Sequence, residues 1–141
     1  MRAVVQRVSE ASVSVGGEVV GELSEPGLLV YLGITHSDGP EDAAWMARKI
    51  WSVRILADER SASDVGAPVL LVSQFTLYGD ARKGRRPTWE AAAPAPVSEP
   101  LYDAVRSALT DLGTHVECGV FGAHMEVASV NQGPLTLLLD R

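Results

Sequence analysis

The side chains that most often carry chemistry are scarce in this chain and far apart. Its three histidines, His36, His115 and His124, have no partners at metal-ligand spacing. Each reads as a surface or strand-end residue, and no metal site is expected. Cys118 is the one cysteine, so it can form neither an internal disulfide nor a two-His-two-Cys zinc site. On a predicted strand it reads as a small buried apolar residue rather than a nucleophile. The chain holds no G-x-S-x-G elbow, phosphate-binding loop or dinucleotide fingerprint, and no cofactor is expected.

Three polar segments remain. In Ser73-Gln74-Phe75-Thr76-Leu77-Tyr78-Gly79 an apolar strand gives way to hydroxyl and amide side chains. A buried strand fixes the position of such groups while its end stays reachable, which suits a binding site. The same residues would equally suit a strand terminus whose Ser and Thr satisfy local backbone groups. Asn131-Gln132-Gly133-Pro134-Leu135-Thr136 reads as a reverse turn between two strands, with a trans Gly133–Pro134 bond as the default. Arg82, Lys83, Arg85 and Arg86 place four of the twelve cations within five residues. That run fits either a solvated loop or a contact with nucleic-acid phosphates.

The elements that position these segments can be read from periodicity. Ala11 to Val15 alternates, Gly16-Gly17 turns, and Glu18 to Leu23 returns, predicting a hairpin. Leu28 to Leu32 is a continuous apolar run that suits a strand buried on both faces. Ser37-Asp38-Gly39-Pro40 reads as a helix start, followed by Ala43, Met46, Ala47, Ile50 and Trp51 at helical spacing. Ser52 to Ala57 reads as a strand, Asp58 to Ala67 as a polar loop, Val69 to Phe75 as a strand and Gly79 to Pro87 as a basic loop. Ala91 to Pro96 reads as a surface connector. Ser98 is the predicted cap of a second helix, with Leu101, Val105, Ala108 and Leu112 as its apolar stripe and Gly113 as its stop. Short strands are expected at Thr114 to Cys118, Met125 to Val130 and Leu135 to Asp140. About eight strands and two main helices predict an α+β fold: a single compact domain over residues 1–141, with mixed and antiparallel sheets in a barrel-like core.

Composition narrows the class of function. The 141 residues are 46% hydrophobic and 21% charged, which excludes intrinsic disorder. The longest apolar runs are five residues, against the roughly 18 of a membrane span. The opening Ala3-Val4-Val5-Gln6-Arg7-Val8 is unlike a signal peptide, so the expected location is the cytoplasm. A net charge of −6 argues against indiscriminate nucleic-acid binding and leaves the local basic run as the candidate contact.

Taken in order, five motifs carry a resemblance. They are Gln6-Arg7-Val8, Ser73-Gln74-Phe75-Thr76-Leu77, Gly84-Arg85-Arg86-Pro87, Gly119-Val120-Phe121-Gly122-Ala123-His124-Met125 and Asn131-Gln132-Gly133-Pro134-Leu135-Thr136. Over its whole length the chain resembles the bacterial and eukaryotic D-aminoacyl-tRNA deacylase family. It departs in a shorter segment at Asp58 to Ala67 and in His124, where the family usually has an acidic residue.

The resemblance implies a cytoplasmic homodimer with active sites at the subunit interface. The enzyme would hydrolyse the ester between a D-amino acid and the terminal ribose of tRNA, with partial action on glycyl-tRNA. It implies that Ser73, Gln74, Phe75 and Thr76 line the catalytic pocket. Gly133 and Pro134, joined by a cis bond, would enter the partner's pocket as a chirality selector. Arg7 would hold that turn, and Met125 and Asn131 would belong to the substrate-binding surface. Arg82, Lys83, Arg85 and Arg86 would meet tRNA. Thr76 has no base beside it in sequence, so water attack with backbone N–H groups holding the oxyanion is the expected chemistry. Two other readings stand beside this one. One is a Thr76-dependent hydrolase of small esters or amides, the other a non-catalytic RNA-binding dimer.

Overall fold

The computed structural model describes all residues, Met1 to Arg141. Six strands form one mixed sheet: β1 (Arg2–Val15), β2 (Glu18–Leu23), β3 (Gly27–Gly33), β4 (Val69–Ser73), β5 (Val116–Cys118) and β6 (Glu126–Asp140). The helices are α1 (Pro40–Ser52), the short α2 (Ala62–Val65) and α3 (Ala95–Asp111). The strand order is β2-β1-β3-β4-β5, with β6 on β1. The long β1 pairs antiparallel with β6 and also with β3 and β2, whereas β3, β4 and β5 run parallel. The sheet curls almost into a barrel. Gly21 of β2 comes so near β5 that a Cβ there would lie 2.6 Å from the Cys118 carbonyl oxygen.

Side-chain alternation explains the continuous apolar runs of β3 and β4. Leu28, Val30, Leu32, Val69 and Leu71 belong to the core shared with α1 and α3. Leu29, Leu70 and Val72 join Val8, Val13 and Leu23 in a second core inside the barrel. A strand that serves both cores has no solvent face, so it has no polar alternate. α1 packs on α3 and buries Ala43, Met46, Ala47 and Ile50, while Trp51 is only half-buried. Pro40 opens α1, and Asp42 accepts from the Gly39 N–H at 2.9 Å. No helix is long and apolar enough to cross a membrane.

Several local expectations are corrected. Ser52 to Ala57 is not a strand, since α1 runs to Ser52 and only Arg54 makes an isolated bridge, to Ser61. The polar loop at Asp58 to Ala67 contains α2, whose Ser61 and Asp64 form a reciprocal capping box. That local pair outweighs the absent apolar period. α3 starts at Ala95 rather than after Ser98, so the end of the expected connector belongs to the helix. Ser98 lies inside it and donates to the Pro94 carbonyl at 3.1 Å. The buried stripe is Leu101, Tyr102, Val105 and Leu109, and Leu112 is exposed. Phe75 falls beyond β4 in a 3-10 turn over Phe75–Tyr78. β5 begins at Val116, and the two expected C-terminal strands are the single β6.

Candidate active site

Parallel strands commonly present ligand sites beyond their carboxyl ends. Here β3 and β4 end side by side, with Leu32 opposite Ser73. A cavity of about 370 Å³ opens there, within the usual range for small-molecule sites. Leu32, Ile34, Val72, Tyr102 and Phe121 make its apolar wall, and Ser73, Gln74, Phe75, His124 and Met125 also line it. Tyr102 and Phe121 pack with ring centroids 5.7 Å apart. The Tyr102 hydroxyl donates to the Leu71 carbonyl at 2.8 Å, and burial pushes its pKa well above the ordinary tyrosine value. It therefore stays neutral and anchors the wall to β4. Cys118 lies outside the lining, and burial pushes its thiol up as well, which suits a packing role.

The end of β4 turns sharply. The Gln74 N–H donates to the Leu32 carbonyl at 2.8 Å, and the 3-10 turn begins at once. Bonds in such a turn reach back three residues, so the N–H groups of Phe75 and Thr76 at its start find no acceptor within it. The Phe75 N–H, on a residue that lines the pocket, is a donor of the kind that suits an anionic oxygen. The Gln74 side-chain amide donates to the Thr76 hydroxyl. That hydroxyl is thus occupied as an acceptor, with no histidine or carboxylate bonded to it. Thr76 does not itself line the cavity, unlike Ser73, Gln74, Phe75 and Met125. No three His, Cys, Asp or Glu side chains converge to hold a metal.

A second cluster lies elsewhere. In the β1–β6 ladder Gln6 pairs with Thr136 and Val8 with Asn131. Residues 132–135 therefore bulge out opposite Arg7 alone. Bulges of this kind re-aim backbone and side chains away from the sheet. The Asn131 side chain closes the base of the bulge: its oxygen accepts from the Leu135 N–H at 3.0 Å and its amide donates to the Thr136 hydroxyl at 3.1 Å. The Arg7 guanidinium donates to the Gln132 carbonyl at 3.2 Å and to the Ile55 carbonyl at 3.3 Å. The Gly133–Pro134 bond is cis. Gly133 takes φ +113°, a conformation open to glycine and strained for other residues. Gly133 and Pro134 are exposed, and no residue of the bulge lines the cavity.

Arg82, Lys83, Arg85 and Arg86 are all exposed. Reciprocal backbone bonds of 2.9 Å between Asp80 and Thr88 close their loop. Arg82 folds back onto Asp80, and its side-chain and backbone N–H groups hold that carboxyl down at about 2. Lys83, Arg85 and Arg86 have no such partner. Tyr102 and Phe121, both in the pocket wall, carry no individual site signal in the sequence. Tyr102 carries no separate signal there, because it sits on the helical face that also makes core.

The family described as D-Tyr-tRNA(Tyr) deacylase matches residues 4–140. A Thermobifida fusca protein named D-aminoacyl-tRNA deacylase is 68% identical over 140 residues, covering 99% of each chain. One of the same name from Streptomyces coelicolor is 61% identical with the same coverage. A solved structure described as c-Myc DNA Unwinding Element Binding Protein superposes with TM-score 0.92 at 37% identity, over 100% of this chain and 99% of that one. Another, described as a probable eukaryotic D-amino acid tRNA deacylase, shares the fold with TM-score 0.88 at 16% identity, over 99% and 98%. With its model matched from the first strand to the last, the chain belongs to the D-Tyr-tRNA(Tyr) deacylase family.

Proposed function

We propose that this protein hydrolyses the ester joining a D-amino acid to the terminal ribose of tRNA, a chiral proofreading step in the cytoplasm. It would act as a homodimer in which each site combines the pocket of one copy with the Gly133–Pro134 bulge of the other. The carrying observation is the separation of two preorganised parts. A pocket lies at the end of β4, where a 3-10 turn starts at the pocket-lining Phe75, and a braced bulge that lines none of it projects from β6. A two-fold arrangement lets each copy supply what the other's site lacks.

In this mechanism the ester carbonyl lies against the Phe75 and Thr76 N–H groups. Water adds to the carbonyl carbon, and the developing oxyanion takes both donors. The tetrahedral intermediate then expels the ribose oxygen, which leaves with a proton as the amino acid departs as its carboxylate. The adjacent ribose hydroxyl can assist proton movement. Thr76 has no base to deprotonate it and serves to position Gln74. Chirality is judged by exclusion: a rigid wall meets the side chain of an L-residue and clears that of a D-residue. Glycine offers nothing to exclude, so glycyl-tRNA passes in part.

The test is deacylation of matched D- and L-aminoacyl-tRNA, glycyl-tRNA and a free D-amino-acid methyl ester, which lacks the ribose. Clearance of D-aminoacyl-tRNA and some glycyl-tRNA, with L-aminoacyl-tRNA and the free ester left intact, is expected. Clearance of the free ester would instead make this a small-ester hydrolase, and no clearance a binding protein. Light scattering that found a fully active monomer would overturn the shared site.

A further inference from the structure

We infer that Trp89, packed edge to face with the pocket-lining Phe75, is a stacking platform for the unpaired nucleotides just before the esterified one, with Lys83, Arg85 and Arg86 meeting their phosphates. This rests on the function proposed above. Phe75 is 55% exposed and Trp89 42%, unusual for rings of that size in a chain with two apolar cores. The rings touch edge to face, with centroids 5.4 Å apart at 75°. Their placement forms a series. Phe75 lines the pocket, and Trp89 directly follows the Asp80–Thr88 pair that closes the basic loop. The path therefore runs from pocket to aromatic faces to cations.

That sequence of surfaces matches a single strand of nucleic acid. Bases offer flat π-faces that stack on exposed aromatic rings, and the linking phosphates seek nearby cations. A duplex hides those faces, so the occupant is the unpaired tail that carries the amino acid. With a net charge of −6 the rest of the surface repels phosphate, and the loop becomes the local attractor. Trp89 is also held in place: its ring lies so close to Gly79 that a side chain there would begin 2.6 Å from the indole. A ring fixed in advance loses little freedom when a base stacks on it.

The experiment compares two substrates, D-aminoacyl-tRNA and the same D-amino acid esterified to adenosine, which lacks the preceding nucleotides. Trp89→Leu should lower kcat/KM on tRNA by roughly 5- to 150-fold, chiefly through KM, with a much smaller loss on the adenosine ester. Trp89→Phe, which keeps a flat ring, should recover most of the tRNA activity. Equal losses on both substrates, or a Leu variant as good as the Phe variant, would overturn the platform and leave Trp89 as packing. Binding of a labelled oligoribonucleotide ending in CCA, read by anisotropy, separates this from the parent reading. A wild-type protein that binds the oligonucleotide through Trp89 yet leaves D-aminoacyl-tRNA intact would support the platform and sink the deacylase. Active enzyme whose binding ignores Trp89 would do the reverse.

Discussion

The guanidinium of Arg7 occupies the space in which a side chain at position 133 would begin: a Cβ on Gly133 would lie 2.6 Å from the Arg7 Nη2. The bulge and its brace are thus closely fitted, and a side chain at position 133 would have to displace the guanidinium. Gly133→Ala adds that contact to the strain of φ +113°, a backbone cost of about 1–3 kcal/mol. Its D-over-L selectivity should fall at least about tenfold, or roughly 1.4 kcal/mol. Arg7→Lys should lose selectivity too, since an ammonium cannot span the Gln132 and Ile55 carbonyls as a planar fork does. Paired kcat/KM values on D- and L-aminoacyl-tRNA check both, and unchanged selectivity in Arg7→Lys would remove Arg7 from the selector.

Thr76 accepts from Gln74 and faces no base. Thr76→Ala should therefore keep deacylation within about tenfold of wild type. Thr76→Tyr should abolish it by displacing Gln74 from the rim. A loss beyond roughly four orders of magnitude in Thr76→Ala would mark a true nucleophile.

The cations of the basic loop are not equivalent. Lys83→Ala with Arg85→Ala should flatten the salt dependence of tRNA binding by about 0.7–0.9 in log–log slope per lost contact. Arg82→Ala should change it less, because Asp80 already neutralises that guanidinium. Binding isotherms between low and moderate salt give the slopes, and equal slopes in wild type and double variant would assign the run to solvent.

The Asp80 carboxyl titrates near 2 because Arg82 donates to its charged form. The folded value lies below the ordinary carboxylate value of about 3.9. The pairing therefore contributes in full above roughly pH 4 and is lost as pH falls through 2. A carboxyl-carbon NMR titration should place the Asp80 midpoint near 2, and Arg82→Ala should return it toward the ordinary value. An unmoved midpoint would show that the pair does not hold the loop's base.

Local patterns with local causes were legible in the sequence. The glycine turn before β2, the Pro40 start of α1 and the doubly buried runs of β3 and β4 all follow from neighbours in the chain. Ser52 to Ala57 misled because its alternation is real while a strand also needs a partner, and no strand lies beside it. Asn131 to Thr136 looked like a turn ending one strand and starting another. That it is a bulge inside β6 depends on Gln6, Arg7 and Val8, about 125 residues away, because pairing with β1 resumes in a shifted register on its far side. The cavity behaves likewise, since Leu32, Tyr102 and Phe121 meet only after β3, α3 and the segment before β6 have packed.

The bulge on β6 lines none of the cavity at the end of β4 in its own chain, and under the proposed shared site this has an arithmetic of inheritance in mixed assemblies. Consider one copy with a disabled pocket rim (Thr76→Tyr) and another with a faulty bulge (Gly133→Ala). Joined as a two-fold pair, they distribute their defects unevenly. One site receives both faults and is silent, while the other receives neither. On the proposed shared site, adding an inert protein to a permissive one should therefore make the mixture more discriminating than the permissive parent alone, with fidelity lent by one copy to its neighbour.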